Sequence, residues 1–207
     1  MIPVNVWIVE SDEGLTLVDA GISTMARPLV RFIRQLGKPL KRILLTHGHS
    51  DHVGSLAHIA NHFSVPVFAH PDEIPYAEGR MAYPRRKKAV ASVACGLLQP
   101  LERDSADDLK PVNGLVPYHT PGHSPGHVAY YHPSDRVLLA GDLFTSRKGK
   151  LKKPISMFTA NMAQAVESGG IVKRLKPKLV SVCHGGEVEH ADEQYDEYLR
   201  QWKTRQT

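Results

Sequence analysis

Short apolar runs alternate with longer amphipathic stretches along most of this chain. The runs at 4–9, 15–18, 43–45 and 65–69, and a second set at 115–119, 128–131, 137–140 and 179–182, predict strands. Several are apolar throughout instead of alternating, so they predict sheets covered on both faces. Helices are expected between them. Met25, Leu29, Phe32, Ile33 and Leu36 fall on one face, Ser23 or Thr24 offers a cap and Gly37 a stop. A second helix is expected over 52–62, with Val53, Leu56, Ile59, Ala60 and Phe63 inward. A third spans 162–175, weakened at Gly169-Gly170, and a last one spans 191–203, with Tyr195, Tyr198, Leu199 and Trp202 as its inner stripe.

One stretch breaks the pattern. Residues 71–111 carry several prolines and many charges, with no clear strand and a helix expected only over 87–98. The organisation this implies is a single α/β domain over 1–207, with a lid-like insertion at about 71–111 lying over one end of the sheets. The chain's 207 residues suffice for a full hydrophobic core.

Composition narrows the class. No apolar run approaches the roughly 20 residues of a membrane span. The start, Met1-Ile2-Pro3-Val4-Asn5-Val6, reads as a strand and not as a signal peptide, so a cytoplasmic protein is expected. Two cysteines, Cys95 and Cys183, do not make a disulfide framework. Cys183 reads as a buried thiol, although its place before His184 leaves a ligand role open. The formal charge of +5 is concentrated in Arg85-Arg86-Lys87-Lys88 and in Arg147-Lys148-Gly149-Lys150-Leu151-Lys152-Lys153. These read as solvated loops, with attraction of an anionic small-molecule substrate as the alternative. No aromatic-basic interleaving points to nucleic acid. Oligomeric state is not encoded in any pattern.

The chemistry is concentrated in Thr46-His47-Gly48-His49-Ser50-Asp51-His52, which directly follows Ile43-Leu44-Leu45. Three imidazoles and a carboxylate in one loop exceed what one ion takes from one loop, so the pattern points to two metal ions. Three more groups follow strands or open turns: Thr120-Pro121-Gly122-His123-Ser124-Pro125-Gly126-His127, Gly141-Asp142 after Val137-Leu138-Leu139, and Cys183-His184-Gly185 after Leu179-Val180-Ser181. Rigid strand ends place ligands, and glycines let backbone approach a crowded centre. Each group alone is a weak signal; their order together is a strong one. His58, His62, His70, His119 and His132 read as structural or exposed. Phe144, Met157 and Phe158 either border a pocket or pack in the core.

This ordered set resembles the metallo-β-lactamase-fold hydrolase superfamily, in its glyoxalase II-like and N-acyl homoserine lactonase-like branch. The likeness runs from Val4-Asn5-Val6-Trp7 and Leu17-Val18-Asp19-Ala20-Gly21 through the four ligand groups. It implies a four-layer αβ/βα sandwich with metals at one edge between two sheets. It also implies that His47, His49 and His123 hold one ion, that Asp51, His52 and His184 hold the other, and that Asp142 bridges them. Asp19 then stands behind the first loop as an outer support, and His127 takes either such a supporting role or a plain structural one. The implied cofactors are two divalent ions, zinc by default, with manganese or iron able to fill the same donors. The implied reaction is attack by a metal-bridging hydroxide on an ester, thioester or lactone carbonyl, with Asp51 orienting the nucleophile and moving its proton.

Alternatives remain within the resemblance. Flavodiiron-type proteins carry Glu where this chain has His49, and cysteine-ligand β-lactamases place Cys where Asp142 stands. Glyoxalase II enzymes end in a helical domain that is not expected here, and acyl homoserine lactonases carry Tyr where Thr145 stands. A nuclease or phosphodiesterase, a mono-iron persulfide dioxygenase and a non-catalytic binding protein are the other readings.

Overall fold

The computed structural model describes residues 3–203; Met1 and Ile2, which open the segment read above as a strand, lie outside the described residues. The first sheet has the order β1-β2-β3-β4-β5, with β1 Trp7–Ser11, β2 Gly14–Val18, β3 Leu40–Leu44, β4 Val67–Ala69 and β5 Leu98–Pro100. β1 and β2 form a hairpin, and the other pairings are parallel. Parallel neighbours need crossovers. These are α1 (Ala26–Gln35) between β2 and β3, α2 (Ser50–Val53) with α3 (Leu56–Phe63) between β3 and β4, and the 71–97 segment, with its short α4 (Ile74–Ala77), between β4 and β5.

The second sheet runs β12-β11-β8-β7-β6, built from β6 Val116–His119, β7 Val128–His132, β8 Val137–Leu139, β11 Leu179–Ser181 and β12 Val188–Glu189. The crossover from β8 to its parallel partner β11 carries a hairpin of β9 (Thr145–Arg147) and β10 (Lys150–Lys152), then α5 (Met162–Ser168) and α6 (Ile171–Leu175). The final helix is α7 (Ala191–Lys203).

Three apolar clusters reveal the layers. Leu29 and Ile33 of α1 and Ile59 of α3 pack on Leu15, Leu17 and Ile43 of the first sheet. Val166, Val172, Tyr195 and Tyr198 pack on Leu138 and Val180 of the second. Between the sheets lie Val18 and Leu44 from one side, with Leu115, Val128, Tyr130 and Leu139 from the other. The result is helix, sheet, sheet, helix, the four-layer αβ/βα sandwich expected above. Strands apolar on both faces are what such a sandwich demands, because each sheet is covered twice. Around the start of β1 the chain joins the two sheets: the Asn5 amide donates to the carbonyls of Val182 and Gly185, and Trp7 Nε1 donates to Ser181 Oγ at 2.8 Å.

Several local expectations are corrected. The 71–111 stretch does contain a strand, β5, which completes the first sheet. Its Leu98 is buried but Gln99 and Pro100 are exposed, and an edge strand of this kind leaves little hydrophobic signature. No helix forms over 87–98; Ser92 and Val93 instead donate their N–H groups to the Ala77 carbonyl. Like charges crowded at its start, Arg85 to Lys88, and Gly96 at φ +78° do not favour a helix there. The 52–62 helix is split around Gly54-Ser55 and the 162–175 helix at Gly169-Gly170. Neither Ser23 nor Thr24 caps α1, which is entered from a 3-10 turn at Ser23–Met25, and Phe32 and Leu36 face solvent. The second basic stretch is not a loop but the β9–β10 hairpin, closed by Lys148 and Gly149 at φ +52° and +69°, the sign a tight primed turn needs at both positions. Phe144 is fully buried against Tyr198 and belongs to the core.

Candidate metal centre

Every predicted ligand side chain arrives at one edge, where the two sheets meet. His47, His49, Asp51 and His52 come from the loop after β3 and the first turn of α2; His123 from the β6–β7 loop; Asp142 from just beyond β8; and His184 from just beyond β11. The ring centroids of His47 lie 4.5 Å from His49, 4.0 Å from His52 and 4.7 Å from His123. His123 Nε2 and His49 Nδ1 face each other at 3.0 Å.

Asp142 sits between two groups. Its Oδ2 is 3.3 Å from His123 Nε2 and 3.4 Å from His184 Nε2, and its Oδ1 is 3.4 Å from His52 Nε2. Asp51 Oδ2 approaches His184 Nε2 at 3.2 Å. Ligand atoms of His47, His49 and His123 lie within 4.8 Å of one another, and so do those of His52, Asp142, Cys183 and His184. The Cys183 sulfur therefore lies nearer the centre than a plain core thiol would, although it is fully buried and free.

Most of these rings are held from behind. His52 Nδ1 is 2.7 Å from Asp19 Oδ2, His184 Nδ1 donates to the Pro3 carbonyl at 2.8 Å, and His123 Nδ1 meets Thr159 Oγ1 at 3.2 Å. His47 Nδ1 meets Thr46 Oγ1 at 3.1 Å. Asp19 is buried at φ +59°, a conformation that Asp tolerates better than most residues. It also accepts the Thr46 N–H at 2.8 Å and the Thr46 hydroxyl at 2.7 Å, so one carboxylate fixes both the loop and a ring. His127 plays a supporting part. Its Nε2 accepts the Asp142 N–H at 3.1 Å, while its Nδ1 meets Thr120 Oγ1. A side chain at Gly141 would collide with that ring and with Thr46, so glycine is required where Asp142 turns in.

With the rear nitrogens engaged, the front atoms are left bare. His47 Nε2, His52 Nε2 and Asp142 Oδ1 are buried without a hydrogen-bond partner among the described residues. An unsatisfied buried polar atom costs about 1–3 kcal/mol. All three are imidazole nitrogen or carboxylate oxygen, and those of His52 and Asp142 lie 3.4 Å apart, a donor set that fits divalent cations of the zinc, iron or manganese type.

The two groups differ electrostatically. Burial, then neighbouring imidazoles, holds His47 well below the ordinary histidine value and brings His49 down to about 3. Burial likewise lowers His123 to about 4. These rings stay neutral, the form that ligates. On the other side burial also opposes charge, but carboxylates outweigh it. Asp19 and Asp142 hold His52 well above its usual value, and Asp142 with Asp51 brings His184 up to about 12. Burial opposes ionisation of Asp142 too, yet His52, His184 and His123 hold its carboxyl well below the usual range.

The mouth of the centre is a small cavity of about 90 Å³, bordered by His49, His123, Tyr83, Arg86, Met157 and Phe158. Met157 and Phe158 are exposed, and Arg86 lies over the Phe158 ring. Arg85 is spent structurally, donating to the carbonyls of Ser156 and Thr159.

Sequence reasoning missed four supports: Thr46, Thr159, Glu73 and Tyr83. Thr46 opens the ligand motif and could have been read from it. The other three lie far from their partners in sequence and carry no local signal. Of the histidines read as structural, His58 and His62 are exposed and stack on each other, while His70 is buried and stacks on His119. No helix among the described residues is long and apolar enough to cross a membrane.

Comparison with known proteins extends this picture. A family model described as the metallo-beta-lactamase superfamily matches residues 2–184. The chain is 38% identical to "Probable metallo-hydrolase YybB" of Bacillus subtilis (strain 168) over 202 residues, covering 98% of this chain and 90% of that protein. It is 31% identical over 162 residues to a hydroxyacylglutathione hydrolase of Bdellovibrio bacteriovorus, covering 76% of this chain but only 54% of that protein. Among solved structures, TTHA1623 in a di-iron-bound form superposes with a TM-score of 0.71 at 29% identity, covering 93% of this chain and 96% of that one. The chain therefore belongs to the metallo-beta-lactamase superfamily, as a metal-dependent hydrolase.

Proposed function

We propose that the centre is dinuclear and hydrolyses an ester, thioester or lactone of a small molecule. His47 Nε2, His49 Nδ1 and His123 Nε2 would hold one ion. Asp51, His52 Nε2 and His184 Nε2 would hold the second, with Asp142 shared. The observation that carries the reading is the set of buried atoms on His47, His52 and Asp142 without hydrogen-bond partners, while the opposite ring nitrogens of the two histidines are anchored. Bound divalent ions supply Lewis acidity and an activated water at neutral pH.

The protein's own residues then divide the work. Asp142 keeps the two histidine groups at one spacing, and Asp19 fixes the face that His52 presents. Asp51 is the most exposed of the three carboxylates, its side chain at 37% against 5% for Asp142 and 0% for Asp19. That suits it to receive a proton and pass it to a leaving group. Phe158 and Met157 give the mouth an apolar wall, and Arg86 makes its edge basic, which favours an anionic substrate. Residues 71–97 act as a partial lid, because Ala77 and Tyr83 close directly over Gly48. Thioesters take first place among the substrates, since a relative that matches three quarters of this chain is a hydroxyacylglutathione hydrolase. Zinc is the proposed metal, and the di-iron form of TTHA1623 makes iron the one to test against it.

The test is elemental analysis together with hydrolysis of a thioester, lactone, β-lactam and phosphodiester panel by wild type, His49→Ala and Asp142→Ala. Two ions per chain and thioester or lactone turnover that falls in both variants is the expected result. Undiminished turnover by metal-free protein would end the proposal. One iron per chain with oxygen uptake on a persulfide would replace hydrolysis by dioxygenation.

A further inference from the structure

Glu73 is the most heavily bonded carboxylate of the described residues, and it belongs to no ligand motif. It is fully buried just before α4. Its Oε1 accepts the Gly48 N–H at 2.9 Å and the Tyr83 hydroxyl at 2.7 Å. Its Oε2 accepts the Ser124 hydroxyl at 2.7 Å and the Gly126 N–H at 2.9 Å. Gly48 lies between His47 and His49, Ser124 follows His123, and Gly126 precedes His127. One side chain therefore grips both loops that bring the His47, His49 and His123 rings together: two of its bonds land beside these histidines, a third beside His127, and the fourth reaches Tyr83.

The packing is built for this grip. A side chain at Gly126 would meet the Glu73 backbone, and one at Gly48 would meet Ala77 and the Tyr83 hydroxyl. The two glycines let α4 and the loops approach to hydrogen-bonding distance. Tyr83 extends the connection outward. Its ring stands 4.8 Å from the His49 ring and borders the mouth.

We infer that Glu73 is a positioning residue for the His47–His49–His123 group, clamping its two loops in register and linking them through Tyr83 to the mouth. The inference rests on the metal-centre reading above. Its physical basis is that ligand rings bind a cation well only when their directions are fixed in advance, and partners behind the ligands supply that order. A glutamine in the same place keeps the volume but offers one acceptor and an NH2, so two of the four donors would face another donor.

The test is zinc affinity by competition with a chromophoric chelator, measured on the full chain as wild type, Glu73→Gln and Glu78→Gln, beside the unfolding midpoint of each metal-free protein. Glu78 is the control. It is a buried carboxylate of the same segment, but it accepts from Gly96 N–H and pairs with Arg80, away from the ligand loops. Both variants should unfold earlier than wild type. Only Glu73→Gln should lose zinc affinity, by about 10-fold or more, the range in which outer partners of ligands act. The milder Tyr83→Phe and Ser124→Ala, which each remove one bond, should show the same loss in smaller measure and serve should Glu73→Gln not fold. Zinc affinity in Glu73→Gln, or in both milder variants, within two-fold of Glu78→Gln would reduce Glu73 to a structural residue and overturn the inference alone. Wild type that binds no zinc, iron or manganese would overturn the metal-centre reading as well.

Discussion

The His47, His49 and His123 side of the centre and the His52, Asp142 and His184 side are held in opposite ways. On the first side, burial keeps the imidazoles neutral, and neutral hydroxyls stand behind His47 and His123. Little charge is buried among the three rings themselves, so geometry is the main thing to maintain, and the Glu73 clamp maintains it from behind their loops. On the second side carboxylates crowd the rings, with Asp19 behind His52 and Asp142 and Asp51 beside His184. Buried like charges cannot be left uncompensated. Asp19 and Asp142 favour the charged form of His52, and Asp142 with Asp51 that of His184; a cation would supply the same compensation. One side is thus ordered by packing and the other by charge, and Asp142 belongs to both.

That contrast is broken most severely at Asp142 itself. Asp142→Ala should abolish binding at the second side, loosen the first and cost more than about 100-fold in activity, beyond the range of outer-partner substitutions. Metal stoichiometry and kcat/KM would check it, and a variant that kept two ions would show that the sides are independent. Next in size is Asp19→Asn. It leaves the Thr46 and His52 donors poorly matched in a fully buried place, and should cost about 1–3 kcal/mol in denaturant unfolding. It should also weaken the second side in preference to the first. Thr159→Val removes only the hydroxyl behind His123. It should lower metal affinity at the first side by about 10-fold, the low end for such supports, and cost about 1 kcal/mol of stability for the buried His123 Nδ1 left without a partner.

The smallest effect lies outside the centre. Burial, then the stacked His119, brings His70 down to about 4. Its folded value is below the unfolded one near 6.5, so the unfolded chain takes up the proton first as pH falls. The stability His70 contributes is complete above pH 6.5 and is lost as pH drops from there through about 4. His70→Gln should flatten that slope in urea titrations at a series of pH values, and a wild-type slope in the variant would assign the loss to other groups.

Much of this was legible in the order of residues. Apolar runs located eight of the strands, because a strand covered on both faces must be apolar along its length. The ligand loop was legible because His47, His49, Asp51 and His52 are neighbours in the chain as well as in space. Legibility failed where burial did not track sequence locally. β5 exposes two of its three residues, and β9, β10 and β12 are short. Glu73 and Tyr83 work through partners that only folding brings near.

The amino-acid sequence alone determined strands covered on both faces, the candidate donor types and the four places along the chain that supply them, since hydrophobic periodicity and donor chemistry are properties of short segments; the four-layer arrangement was implied by the family resemblance. Tertiary structure decided the rest: which nitrogen of each ring faces inward, which carboxylate stands behind which histidine, and how the 71–97 segment clamps the centre. Those depend on hydrogen bonds between segments as distant as Pro3 and His184 or Glu73 and Gly126. Their partners are chosen by the packing of two sheets and not by any neighbour in sequence.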